Sequence, residues 1–269
     1  MSFLISRVPP AHSFFQRTSI LENTAKPLPT YYLTLTKFGR LLNIQAGVII
    51  FAAEFNEYID MGKNITNVVF DFGGVIAPAD LSVVVNRFKA LGFTNIEHYL
   101  NLVRQEGFFG DFETGLIDKE QFRERVSKEV GREVTMDECR NAYMGFFFGV
   151  PERNLSLMRR LRSEGYRLSL LSNTNPFIIE WAQSKGFDGH GHSLDEYLDS
   201  FYLSYEMKVM KPDERIFRMM LEAENVAPEH VLYIDDGPKN VEAARQVGLN
   251  VVQATNGEDW TPAVLNLLA

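Results

Sequence analysis

The sequence predicts an α/β protein: a three-layer core on a parallel sheet, interrupted by an inserted cap of four helices. Three observations lead there. An apolar run, Val68-Val69-Phe70, stops at a carboxylate, Asp71, with Gly73 and Gly74 close behind. Such a run reads as a strand buried on both faces, the kind from which parallel sheets are built. From residue 152 onward apolar strands alternate with amphipathic helices, an order that implies right-handed crossovers within one parallel sheet. Between these regions, residues 80 to 148 show helical spacing alone and read as a separate cap.

Residues 1 to 60 differ in character from the rest of the chain. Pro9, Pro10, Pro27 and Pro29 interrupt any early helix, and the apolar residues keep no sustained period. The first 21 residues contain Arg7 and Arg17 but no acid, faintly like a transit peptide, whereas Met61 offers a clean restart just before the first core strand. The expectation is an extension over 1–60, either a mis-assigned start ahead of Met61 or a dispensable, disordered segment. The core then comprises 61–79 and 149–269, and the cap 80–148. Within the cap, helices are expected at 81–91, 95–106, 118–129 and 135–147, with Asp118 as an N-cap and Gly92 and Gly131 closing helix ends. A helix over 152–164 carries Leu155, Met158 and Leu161 and closes at Gly165. The strand 166–171 ends at Ser172-Asn173-Thr174, and a short strand comes next near 201–204. A helix over 212–225 buries Ile216, Phe217, Met220 and Leu221, with Pro212 at its first position. The strand 231–234 ends at Asp235-Asp236, the helix 241–247 closes at Gly248, and 249–253 is the last strand.

Composition narrows the function. A chain of 269 residues with 45% apolar content has room for one large domain, or a core with a smaller one. The net charge of -8 argues against a nucleic-acid partner, and a protein this negative can handle phosphate only with local cations. The single cysteine, Cys139, excludes an internal disulfide, fits a reducing, cytoplasmic setting, and reads as a packed small hydrophobe. No run is long enough to span a membrane, and the longest candidate, 46–53, is a core strand or short helix.

Four strand ends supply Asp71, Ser172, Lys211 and Asp235-Asp236. Ligands of open α/β sheets bind beyond the carboxyl ends of the strands, so these groups can meet although far apart in sequence. The chemistry they suggest is phosphoryl transfer through a covalent aspartate. An anionic nucleophile approaching an anionic phosphate needs a cation: Mg2+ between Asp71 and Asp236, with Lys211 as a second positive charge. Ser172 and the amides after Asp71 would hold phosphate oxygens.

These segments resemble the haloacid dehalogenase superfamily of hydrolases, in the branch with a helical cap between its first two motifs. The matching residues are Val69-Phe70-Asp71-Phe72-Gly73-Gly74-Val75-Ile76, Leu171-Ser172-Asn173-Thr174-Asn175, Lys211-Pro212-Asp213, and Tyr233-Ile234-Asp235-Asp236 through Asn240-Val241. The likeness extends to the bacterial α-D-glucose-1-phosphate phosphatases and their sugar-phosphatase relatives. It implies a Rossmann-like core, a Mg2+ cofactor and a small phosphorylated metabolite as substrate, in a monomer or homodimer. Carried over by position, Asp71 is the nucleophile, and its carboxylate and the Gly73 carbonyl oxygen meet Mg2+. Asp236 is a further metal ligand, and Asp235 ligates the metal or holds a water on it. Lys211 orients nucleophile and phosphate, and Ser172, Asn173, Phe72 and Gly73 bind phosphate.

One departure matters: where most phosphatases of this superfamily carry a second, acid/base Asp, this chain has Gly73. Losing a positioned acid or base typically forfeits ~10²–10⁴-fold in rate. Three readings stay open: a substrate with a good leaving group, a water or cap residue in place of the acid, or a catalytically silent binding protein. A 2-haloacid dehalogenase shares the aspartate nucleophile but needs no metal, against which the paired acids Asp235-Asp236 stand. Other features have plainer readings. The phenylalanine-rich cap reads first as packing, with Phe109, Asp111 or Glu113, in a loop before Gly115, as residues that could reach over the site and select substrate. His190 and His192 read as a flexible surface loop rather than a metal pair, and Lys208 as a solvated neighbour of Lys211.

Overall fold

The computed structural model describes residues 65–100, 105–147 and 149–269, together with the backbone of four short strands between residues 15 and 50. The chain divides into two units, residues 1–60 and 61–269. In the first, β1 (Phe15–Arg17), β2 (Tyr31–Leu35), β3 (Arg40–Gln45) and β4 (Val48–Ile50) form an antiparallel sheet in sequence order. The sequence does not announce that sheet: three to six residues per strand are too few to show a period among scattered prolines.

In the second unit, β5 (Asn67–Phe70), β6 (Arg167–Ser172), β7 (Ser200–Leu203), β8 (Val231–Asp235) and β9 (Asn250–Gln253) make a parallel sheet in the order β7-β6-β5-β8-β9. β5 and β8 are buried at every position, as central strands covered on both faces must be. Alternation sorts their side chains into two cores. Val68, Phe70, Leu168, Leu170, Leu232 and Ile234 join one cluster with α5 (Glu152–Ser163), α6 (Pro176–Ala182) and α10 (Thr261–Leu268). Val69, Leu171, Val231 and Tyr233 join the other with α8 (Glu214–Glu224) and α9 (Pro238–Val247). Helix, sheet and helix give the three layers. The four-residue α7 (Ser204–Met207) comes directly after β7.

The stretch between β5 and α5 carries α1 (Leu81–Leu91), α2 (Gly107–Glu113), α3 (Lys119–Val130) and α4 (Met136–Tyr143). Asp118 caps α3 in a capping box with Gln121, and Gly92 and Gly131 take left-handed conformations at helix ends. The helix expected over 95–106 is not found at its described residues: a single 3-10 turn, Ile96–His98, stands there, and the helix comes later, at α2. Phe108, Phe109 and Phe112 pull that Gly-containing segment into a helix by burying in the aromatic core, against its weak intrinsic propensity. The last cap helix ends at Tyr143 and continues only as a 3-10 turn, Met144–Phe146. Pro212 precedes α8, whose N-cap is Asp213. No helix among the described residues is long and apolar enough to cross a membrane.

Candidate active site

Asp71 stands just past β5, where its amide donates to Ile234 O at 2.8 Å and carries the ladder with β8 one residue further. The strand order switches between β5 and β8, whose outgoing helices pack on opposite faces of the sheet, so a crevice opens between these two strands. Phe72 N donates to Asp71 Oδ1 at 2.7 Å, and Lys211 Nζ lies 2.9 Å from the same oxygen. Lys211 also bonds Asp235 Oδ2 at 2.7 Å and Leu171 O at 2.9 Å, so three acceptors fix its ammonium below the cleft floor. Gly74, at φ +77°, is where the chain turns under this floor. A Cβ there would stand 2.1 Å from Asp236 Oδ2, so only glycine lets Asp236 approach.

Asp71, Asp235 and Asp236 each place a carboxylate oxygen within 4.8 Å of the others. Burial pushes Asp71 up to about 7; Lys211 pulls the other way, and Asp235 and Asp236 add to the rise. Burial and then Asp235 raise Asp236 to about 6. For Lys211, burial alone would lower the pKa, but the carboxylates of Asp235 and Asp71 outweigh it and hold it above its ordinary value. The site therefore carries more negative charge than its own cation balances. Three neighbouring carboxylates are hard oxygen donors of the type Mg2+ takes.

The cleft holds about 380 Å³, and its lining includes Asp71, Phe72, Gly73, Ser172, Asn173, Lys211 and Asp236 from the core and Glu113 from the cap. Ser172 Oγ makes only a 3.4 Å contact with Asn173 O, which leaves its hydroxyl available to a ligand. Three expectations change. The Asn173 side chain bonds both backbone groups of Lys211, at 2.9 and 2.8 Å, so its first task is to position the lysine. Asp235 uses both oxygens on Lys211, Tyr233, Gly237 N and Asn240, and its first task is to hold the lysine. Phe109 does not reach the cleft: its ring lies among Phe88, Phe93, Phe108, Phe122 and Tyr143, fully buried in the cap. Glu113, by contrast, is the last residue of α2 and lines the cleft, not a loop residue as expected.

Lys208 bonds Gly115 O at 2.6 Å instead of the core site, which ties the segment after α2 to the one after α7. His190 and His192 are exposed, and Asp188 gathers their loop by accepting from both backbone amides and pairing with His192 Nδ1 at 2.7 Å. Cys139 is buried in α4. Sequence reasoning missed two residues that line the cleft, Thr174, whose hydroxyl is buried without a hydrogen-bond partner, and Lys239 on the first turn of α9. It also missed Tyr143, which donates to Glu113 Oε1 at 2.9 Å from thirty residues away.

Carboxylates at the ends of neighbouring parallel strands, with a buried lysine between them, form an arrangement that comparison with known proteins places in a hydrolase class. A family model for haloacid dehalogenase-like hydrolases matches residues 65–248, and the chain belongs to that family of enzymes. Among its relatives is D-ribitol-5-phosphate phosphatase of Bacteroides thetaiotaomicron, 39% identical over 73% of this chain and 95% of that one. Among solved structures, a predicted HAD-like family hydrolase from Porphyromonas gingivalis is 38% identical, with a TM-score of 0.72 over 76% of this chain and 98% of that one. A HAD family enzyme from Bacteroides thetaiotaomicron, solved in complex with magnesium and inorganic phosphate, is 33% identical, with a TM-score of 0.68 over 74% and 98%.

Proposed function

We propose that this protein is a Mg2+-dependent phosphatase that hydrolyses a small phosphorylated sugar or sugar alcohol through an aspartyl-phosphate on Asp71. The observation that carries this reading is the charge imbalance of the cleft: Asp71, Asp235 and Asp236 crowd together, and Lys211 contacts only the first two. Asp71, Asp236 and the Gly73 carbonyl would hold a divalent cation, which would offset the excess charge and screen nucleophile from phosphate. The other parts belong to the chain itself. Asp71 attacks phosphorus; Lys211, anchored by Asp235 and Leu171 O, orients Asp71 and supports the developing charge. Ser172 and the backbone amides of Gly73 and Asn173 hold phosphoryl oxygens, while the Phe72 amide, expected to do the same, is engaged by Asp71 Oδ1, so catalysis is mostly positioning and electrostatics.

The substrate class draws on the ribitol-phosphate relative and on the lining of the cleft, where Lys239 offers a polar contact and Leu81, Phe146, Phe147 and Ile178 give apolar walls. Likeness to glucose-1-phosphate phosphatases points instead to an anomeric leaving oxygen, which barely needs a proton. Ribitol 5-phosphate gives up a primary alcohol, a poorer leaving group, and that is the more demanding case for a chain with Gly73 at the usual acid position. Residues 61–79 and 149–269 form the working core, and 80–148 a cap whose motion excludes water during transfer and admits it for hydrolysis.

The test is turnover of p-nitrophenyl phosphate and of a panel of sugar and polyol phosphates by the full chain. Activity should need Mg2+, disappear with chelator and fall by at least ~10³-fold in Asp71→Asn, as loss of a covalent nucleophile demands. Metal-independent activity confined to 2-haloacids would replace the phosphatase reading with a dehalogenase. Binding without turnover would replace it with a silent binding protein.

A further inference from the structure

The acid and base absent at Gly73 can be sought among the groups that line the cleft. A Cβ at Gly73 would meet the Phe147 ring at 3.8 Å and Ala79 at 3.9 Å, so the direction in which an acid would extend from this backbone is apolar. Across the cleft stands Glu113, a carboxyl on the cap that is buried and makes no ion pair among the described residues. Its main chain is tied to the core: Ser204 Oγ donates to Glu113 O at 2.6 Å and contacts Thr174 O at 3.2 Å. The next residues continue the clasp, since Thr114 Oγ1 contacts Met210 Sδ at 2.9 Å and Lys208 bonds Gly115 O. Gly115, at φ +69°, permits this approach, because a Cβ there would lie 2.0 Å from Tyr205 O. Glu113 is thus held by backbone contacts at the cleft that Ser172 and Lys211 also line.

We propose that Glu113 is the acid/base residue of this enzyme, donating a proton to the leaving oxygen and then accepting one from the hydrolytic water. The assignment rests on the phosphatase reading above. In the first step an Asp71 oxygen bonds phosphorus, the bond from phosphorus to the ester oxygen breaks, and the departing alkoxide takes the Glu113 proton. In the second, water attacks phosphorus, its proton passes to Glu113, and the Asp71–phosphorus bond breaks. Carboxylate, protonated Glu113 and inorganic phosphate result, so the cycle closes with no other reactant.

The surroundings suit both roles. Tyr143 donates to Oε1, which leaves Oε2 as the oxygen for the mobile proton. Burial and the Glu113 charge hold the Tyr143 pKa well above its ordinary value, so this phenol remains a donor. Asn175 gives its Oδ1 to the amides of Phe177 and Ile178 at the start of α6. Its buried Nδ2 makes no hydrogen bond of ordinary geometry, yet the side chain lies close enough to Glu113 to lower that pKa, so it is a donor in place for the carboxylate once the proton has left. The ionisable groups that act on Glu113 are Tyr143 and Asp71: burial pushes its pKa up to about 7, Tyr143 lowers it and Asp71 raises it further. That is near the optimum for a group that must give and take a proton at neutral pH.

Glu113→Gln keeps shape, burial and an acceptor for Tyr143, so it isolates the proton. The experiment compares full-length wild type and Glu113→Gln in Mg2+, with p-nitrophenyl phosphate and with whichever alkyl phosphate the wild type turns over fastest. The variant should lose ~10²-fold or more in kcat on the alkyl ester. With p-nitrophenyl phosphate, whose leaving group needs no proton, it should release nitrophenolate in a burst close to wild type, followed by slow turnover. Tyr143→Phe, which removes the donor that lowers the Glu113 pKa, should move the alkaline limb of kcat to higher pH. Equal loss on both esters without a burst, or no loss on the alkyl ester, would overturn the assignment of Glu113 alone. A wild type inert to every phosphate ester would overturn the phosphatase reading and this assignment together.

Discussion

At Glu113 burial lifts the carboxyl from its ordinary value of 4.5 to about 7, and the fold bears a cost for it. Between those values the folded state binds the proton and the unfolded state does not, so stability falls as pH rises through the window. The full difference is about 3 kcal/mol, a large share of a typical domain's stability. Glu113→Gln removes the penalty. It should melt with the wild type at about pH 5 and above it at about pH 8, as stabilising substitutions at strained functional sites do. A variant less stable than wild type at the higher pH would contradict the burial argument. At this scale Asp71, Ser172 and Asp236 are legible in the sequence because each ends an apolar strand, whereas Lys211 is not at a strand end as expected but in the turn between α7 and α8. Spacing cannot show that the Asn173 side chain holds Lys211, or that Asp235 is saturated by Tyr233, Gly237 and Asn240, because those partners depend on strand order and side-chain direction.

Among the elements, the strands and the helices of the core are legible where the apolar period is strong and a cap residue marks the end. α3 shows this best, with Asp118 at its start and Gly131 at its finish. α2 has the sequence of a loop, with two glycines among its seven residues; only the pull of three phenylalanines into a shared core makes it helical. In that core Phe112 stacks on Phe122 at 4.5 Å and Phe109 meets Phe122 edge-on at 4.9 Å. Such pairs contribute about 0.5–1.5 kcal/mol each beyond burial. Phe109→Ala should therefore cost about 3–5 kcal/mol in stability while leaving substrate preference across a phosphate panel as in the wild type. Altered preference with unchanged melting would return Phe109 to the role of a selecting residue. The start of α6 and its cap, Asn175, are equally hard to see, because Pro176 resembles the end of a turn as much as the start of a helix.

For the whole molecule, the parallel sheet explains why motifs spread from residue 71 to residue 236 act as one site. β6, β5 and β8 are neighbours, and their carboxyl ends deliver Ser172, Asp71 and Asp235-Asp236 to one rim. α2 adds Glu113 to the cleft, and the clasp of its end at Ser204, Lys208 and Met210 sits just beyond β7. A parallel sheet can be argued from alternation of strand and helix; the clasp cannot, since nothing in the spacing of Gly115 or Ser204 announces a partner so distant in sequence. The central claim is that Asp71 becomes covalently phosphorylated. The most direct measurement is acid quenching of the full chain during turnover with a phosphate ester and Mg2+, followed by mass mapping of the peptides. One added phosphoryl group should appear on Asp71, be absent when the metal is chelated, and accumulate in Glu113→Gln. A phosphoryl group on another residue, or turnover with none on any, would contradict the account.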